Sequence, residues 1–170
     1  MYDTNSEQNL ILTGMPAAGK STLGVLLAKE TGRGFIDTDL LIQEREGRRL
    51  CDILIHDGVS ALRAAEERSI LQLHVCRTVI ATGGSAVYSE QAMTHLKAGG
   101  PVIFLDIAYE VVSHRIGDLD QRGVARSPNQ SLRDLFDERR PLYLKYADYI
   151  IDSTAMNHQQ ALHAVLETLR

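Results

Sequence analysis

The sequence predicts an α/β fold of three layers, α/β/α, around a central five-stranded parallel sheet. Three observations predict it. Five short apolar runs show no alternation of polar and apolar positions, the behaviour of strands covered on both faces of a parallel sheet. Segments with helical patterning separate these runs, and strand–helix alternation is the signature of parallel α/β architectures. The stretch Gly14-Met15-Pro16-Ala17-Ala18-Gly19-Lys20-Ser21-Thr22 joins the first apolar run to the first helical one, which is the strand–loop–helix setting of a phosphate-binding loop.

The elements follow in order. Leu10 to Leu12 reads as a strand and Thr22 to Glu30 as a helix that Gly32 stops. Gly34 to Ile36 is the second strand, and the helix Leu40 to Arg45 ends at Gly47. A helix over Val59 to His74 leads into the third strand, Thr78 to Ala81. Glu90 to Ala98 is the next helix, and Gly99-Gly100-Pro101 separates it from the fourth strand, Val102 to Leu105. Helices are expected over Ala108 to Ile116, Ser131 to Lys145 and His158 to Leu169, with the last strand at Tyr149 to Ile151. Pro141 falls inside one of these helices and is expected to mark a break. The segment 117–131 is polar and irregular, with Gly117, Gly123, Pro128 and Asn129, and it carries Arg122 and Arg126. A basic loop of that length beside a phosphate site is expected to act as a mobile lid.

A chain of 170 residues with 44% hydrophobic content suits a single domain, residues 1–170, with one core. The net charge of −4 is spread along the chain without a basic face, which argues against a nucleic-acid partner. No apolar run reaches the length of a membrane span, and the polar segment Met1 to Gln8 does not resemble a targeting peptide. Two cysteines, Cys51 and Cys76, lack metal-ligand spacing and suit a reducing compartment. The six histidines are scattered and read as ordinary surface or core residues. The expectation is a cytoplasmic monomer that acts on small molecules.

The phosphate-binding loop explains its own residues. Its glycines let successive N–H groups face an anion, and the following helix adds partial positive charge. Lys20 reaches the outer phosphates, and the Ser21 hydroxyl holds Mg²⁺. In parallel sheets, ligands lie beyond the carboxyl ends of the strands. The residues that follow strands here are Gly14 to Lys20, Asp37-Thr38-Asp39, Thr82-Gly83-Gly84-Ser85 and Asp106. Taken singly, each is an ordinary cap or turn former. Their convergence on one sheet edge points to a site.

The chain resembles the shikimate kinase family. The likeness runs from Leu10 to about Asp152 and is carried by several motifs besides the phosphate-binding loop. These are Phe35-Ile36-Asp37-Thr38-Asp39, Asp57-Gly58 with Leu62-Arg63 and Glu66, Ala81-Thr82-Gly83-Gly84, Val102 to Ile107, Arg115 with Arg122, and Arg139-Arg140-Pro141-Leu142-Tyr143. The resemblance implies a P-loop kinase fold and the ATP- and Mg²⁺-dependent phosphorylation of shikimate to shikimate 3-phosphate, in aromatic amino acid biosynthesis. A kinase for another hydroxy acid such as homoserine or gluconate is the alternative, ahead of a nucleoside monophosphate kinase.

Roles come with the resemblance. Ala17, Ala18, Gly19, Lys20, Ser21 and Thr22 cradle the ATP phosphates, and Ser21 and Asp37 serve the Mg²⁺. Asp39 accepts hydrogen bonds from the substrate and is the base, so Lys20, Asp39 and Arg122 form the catalytic set. Arg63 and Arg139 grip the substrate carboxylate, with Glu66 orienting Arg63, and Gly83 and Gly84 line the acceptor. Arg115 lies on the adenine, while Arg122 on the lid reaches the phosphates. A planar guanidinium offers two parallel donors to a carboxylate, which suits the two arginines. Asp106 ends an apolar strand as the second Mg²⁺ group of many phosphate-loop enzymes does; the resemblance puts that acid at Asp37, and Asp106 is read as capping the next helix.

Three positions depart from the family pattern. Ser85 stands where a third glycine is usual, and is expected to crowd the acceptor or make a new hydrogen bond. Gly123 stands where the lid usually has proline, which is expected to loosen the hinge. Met156 lies near the place of an adenine-side arginine that many members carry.

Overall fold

A computed structural model describes residues 7–117, 119, 121 and 123–170. Five strands form one sheet: β1 (Leu10–Thr13), β2 (Gly34–Asp37), β3 (Thr78–Ala81), β4 (Val102–Asp106) and β5 (Tyr149–Asp152). Every pairing is parallel, in the order β2-β3-β1-β4-β5. The helices are α1 (Lys20–Thr31), α2 (Thr38–Glu46), α3 (Leu50–Leu71), α4 (Glu90–Gly99), α5 (Tyr109–Ile116), α6 (Leu132–Tyr146) and α7 (His158–Thr168), with a 3₁₀ turn over Ala86–Tyr88. The architecture is the expected three-layer α/β/α. No helix among the described residues is long and apolar enough to cross a membrane.

The runs that form the three central strands are buried as their patterning requires, whereas the edge strands β2 and β5 are partly exposed. All four residues of β1 and of β3 are buried, and Ile11, Leu12, Ile80 and Phe104 join Leu23 and Leu27 of α1 in the main core. Burying each such side chain contributes about 1.5–3 kcal/mol. A smaller cluster of Ile42, Ile53, Leu62 and Ala65 sits between α2 and α3, and Ala125 of the segment 117–131 packs into it. That contact seats Ala125 against α2 and α3.

Two expectations change. Pro141 does not break its helix: α6 runs from Leu132 to Tyr146. A capping box between Ser131 and Asp134 starts the helix, and Arg139 and Tyr143, on either side of the proline, are buried. Packing on both flanks outweighs the single lost hydrogen bond. Helix α3 is two helical stretches, 50–57 and 59–71, broken at Gly58, which is non-helical at φ 85. The second starts at Val59 as expected and ends at Leu71, and the first was not expected. Its first part was not legible because the Arg49 cap makes no side-chain bond; burial of Cys51 and Ile53 holds it instead.

Candidate functional site

The phosphate-binding loop leaves β1 and enters α1 through Ala17 (φ 67) and Gly19 (φ 90), both left-handed. That curl turns the loop amides toward a common centre. The Lys20 ammonium folds back and donates to the carbonyls of Gly14 and Met15, both at 2.9 Å. Burial lowers its pKa to about 8, against the opposing charges of Asp39 and Asp37. Lys20 is thus held at the loop without an anion.

Asp37 ends β2 and does two things. Its Oδ1 caps α2 by accepting from the Asp39 and Leu40 amides. Its Oδ2 accepts from the Ser21 hydroxyl at 2.5 Å. A hydroxyl and a carboxylate side by side at the mouth of an anion loop are hard oxygen donors that fit Mg²⁺, an ion that otherwise prefers waters and phosphates. Among the described residues no cluster of three or more His, Cys, Asp or Glu could hold a metal.

Thr38 is buried and its hydroxyl accepts from the Gly83 amide at 2.9 Å, tying the end of β2 to the loop after β3. The Thr82 hydroxyl donates to the Leu12 carbonyl at 3.1 Å, anchoring that loop to β1. Gly83 has no room for a side chain: a Cβ would stand 2.2 Å from Glu66 Oε1 and 2.6 Å from Asp39 Oδ1. Desolvation, then the nearby charge of Asp37, pushes Asp39 up to about 6.

A cavity of about 430 Å³ collects these groups. Ala17, Gly19, Lys20, Ser21, Thr22, Asp39, Gly83, Gly84, Arg115 and Arg139 all line it. Gly123, Val124 and Ala125 contribute from the segment above. Ala18 is buried beneath the loop. Arg122 lies outside the described residues. Gly123 has φ 64, and a Cβ there would meet Leu50 Cβ at 2.6 Å and the Cys51 amide at 2.7 Å. Glycine at this point permits close seating on α3, a different reason from the looser hinge that composition suggests.

Of the two neighbouring arginines, Arg139 faces the cavity. It is only 1% exposed, donates to the Ala125 carbonyl, and its Nε reaches the Tyr88 hydroxyl at 3.4 Å. Arg140 instead forms a two-pronged ion pair with Asp106, at 3.1 and 2.7 Å. Asp106 therefore does not cap the next helix. The cap position of α5 is Ala108, without a side-chain bond, and the Ala108 amide is met by Thr154 Oγ1 at 3.0 Å.

Arg63 is not among the cavity-lining residues and makes no ion pair with Glu66. Its guanidinium lies over the Tyr88 ring, 3.9 Å from the centroid, and its Nε is buried without a hydrogen-bond partner. Beside it, the Ser85 hydroxyl donates to Glu66 Oε2. The departure from the third glycine makes a new hydrogen bond to one oxygen of the carboxylate that i, i+3 spacing offers to Arg63. Tyr88 is a site residue that sequence reading missed; only its place just beyond the glycine loop hinted at it.

Comparisons with known proteins converge. The family model described as shikimate kinase matches residues 16–170. A shikimate kinase of Pseudomonas paraeruginosa is 38% identical over 167 residues, covering 95% of this chain and 96% of that protein. Among solved structures, shikimate kinase from Acinetobacter baumannii in complex with shikimate superposes with a TM-score of 0.86 at 29% identity, covering 95% of this chain and 92% of that one. Shikimate kinase from Aquifex aeolicus gives a TM-score of 0.81 at 30% identity, covering 95% of each chain.

Proposed function

The chain belongs to the shikimate kinase family, and from that premise we propose that it transfers the terminal phosphoryl group of ATP to a hydroxyl of shikimate, forming shikimate 3-phosphate. One observation carries the reading: the anion-binding loop, the Asp39 carboxylate and the buried Arg139 guanidinium line the same cavity. Phosphoryl transfer needs in-line positioning and charge screening more than covalent help, and these groups supply both.

In this reading the amides of Ala17 to Thr22 hold the phosphates, and Lys20 leaves the Gly14 and Met15 carbonyls to meet them. Ser21 and Asp37 hold Mg²⁺, which screens the phosphate charge when bound. Asp39 aligns the attacking hydroxyl and takes its proton. Arg139 receives the acceptor carboxylate, with Gly84 close beside it: a Cβ on Gly84 would lie 2.7 Å from Arg139 Nη1. Arg63 joins from the Tyr88 face, Arg115 serves the adenine and Arg122 the phosphates. All these groups come from one chain, so a monomer suffices.

The test is ADP release from Mg·ATP with shikimate, homoserine, gluconate and nucleoside monophosphates offered in turn. Shikimate is expected to be turned over with the highest kcat/KM. ADP release that follows gluconate, homoserine or a nucleotide and ignores shikimate overturns the proposal.

A further inference from the structure

Two carboxylates crowd the bare backbone of Gly83 from different helices, Asp39 from α2 and Glu66 from α3. Glu66 is 3% exposed and lines the cavity, yet its two oxygens are unequal. Oε2 accepts from Ser85. Oε1 is buried with no hydrogen-bond partner. A buried acceptor without a donor is costly to leave unmet, and this one belongs to a residue that lines a cavity with polar groups. The reacting hydroxyl belongs to Asp39 under the function proposed above. Oε1 of Glu66 is therefore left for another donor on the same ligand.

We infer that Ser85 is a positioning residue: it fixes Glu66 as the acceptor for a second, non-reacting hydroxyl of the substrate, which makes the site selective for a hydroxy acid with adjacent hydroxyls. This rests on the proposed function and assigns it a specificity determinant.

The geometry supplies the reason a serine matters here. Arg63 lies three residues before Glu66 on α3, where it would compete for the carboxylate. In the fold the serine hydroxyl meets one oxygen of Glu66, and the tyrosine ring meets Arg63. Ser85 has φ −98 and ψ −1, a conformation open to any residue, so its side chain rather than its backbone distinguishes the position. The charged groups facing Glu66 are Asp39 of α2, Lys20 of α1 and Arg139 of α6. Burial, then the Asp39 charge, pushes Glu66 up to about 7, while the Ser85 hydrogen bond pulls it down. Removing the hydroxyl moves that titration upward.

The experiment compares the wild type, Ser85→Ala and Ser85→Thr in steady-state kinetics with shikimate and with 4-deoxyshikimate, which lacks the hydroxyl beside the reacting one. The wild type is expected to favour shikimate by about tenfold or more in kcat/KM, the range for a site built to bond a hydroxyl. Ser85→Ala should raise the KM for shikimate more than the KM for ATP and lose most of that preference. It should also shift the acid limb of the kcat/KM profile to higher pH. Ser85→Thr, which keeps the hydroxyl, should restore the preference and the limb. An alanine variant with unchanged acceptor preference and pH limb overturns the inference while leaving the function standing. Equal damage in both variants, spread over ATP and shikimate alike, marks a packing defect and overturns it too. A wild type that never phosphorylates shikimate removes the proposed function itself, and the inference with it.

Discussion

The two ends of the cavity are built in different ways. The phosphate cradle of the nucleotide end comes from one continuous stretch, Gly14 to Thr22, in which backbone amides, a lysine and a hydroxyl are neighbours along the chain. The acceptor end draws on side chains from α2, α3, the loop after β3 and α6, namely Asp39, Glu66, Ser85 and Arg139. The first end needs only a strand, a curl and a helix to be complete. The second exists only once four distant segments have packed, and Glu66, Ser85 and Arg139 are each held by a partner from another element. Ser85 holds Glu66, Tyr88 supports Arg63 and Arg139, and Arg139 ties down Ala125. The local end tolerates change around it; the assembled end couples specificity to packing.

Four experiments sharpen or break that contrast. The largest effect is expected from Lys20→Ala, which removes a side-chain charge that the proposed function brings to the phosphates. Turnover should fall about a hundred- to a thousandfold, the scale of losing one preorganised group facing developing charge. A thermal melt should show the fold intact, and near-normal ADP release would detach Lys20 from the chemistry.

Next comes Arg139→Ala. Loss of a buried guanidinium that meets a ligand carboxylate should weaken acceptor capture by about 2–5 kcal/mol. Arg63→Ala should cost less, about 0.5–2 kcal/mol, because the structure shows stacking on Tyr88 rather than a buried ion pair. The ratio of shikimate kcat/KM values reads both. If Arg63→Ala proves the more damaging of the two, the acceptor end is organised around α3 and the order proposed here is wrong.

Gly123→Ala probes the roof that covers both ends. A left-handed alanine costs about 1–2 kcal/mol, and the added Cβ presses on Leu50 and Cys51. Melting should drop by about 2–8 °C. An unchanged melting temperature would mean that this seat is not maintained in solution.

The smallest effect is a slope. Glu66 has an ordinary pKa of 4.5, raised to about 7 in the fold. Between those values the native chain keeps a proton that the unfolded chain releases. The stabilisation is therefore complete below the unfolded value and is lost as pH rises through the folded one. Asp39, raised from 3.8 to about 6, acts with the same sign at lower pH. Glu66→Gln should make melting temperature less sensitive to pH between about 5 and 8. Parallel curves for the two proteins would show that Glu66 titrates normally and that its surroundings are wetter than the packing implies.

Particular residues show what could be read without coordinates. The run Leu10 to Leu12, the glycine pattern after it and the helix that follows announce their own structure, because neighbours along the chain supply all the interactions. The resemblance to the shikimate kinase family put Asp37 beside Ser21; its place at a strand end did not, since Asp106 ends a strand in the same way. Asp106 could not be read correctly. Its partner Arg140 sits on α6, and nothing near Asp106 in the chain distinguishes an ion pair from a helix cap. Pro141 misled for the opposite reason: a strong local signal was outweighed by burial of Arg139 and Tyr143.

The sequence by itself determined the layered parallel sheet, the edge on which ligands gather and the nucleotide loop, since periodicity and turn chemistry act over a few residues. Only the tertiary structure decided which carboxylate each polar side chain meets. Those partnerships depend on the approach of separate helices to within hydrogen-bond reach, a distance that no local pattern encodes. Ser85 facing Glu66, and Arg63 turned onto Tyr88, are consequences of how α3 lies against the loop after β3.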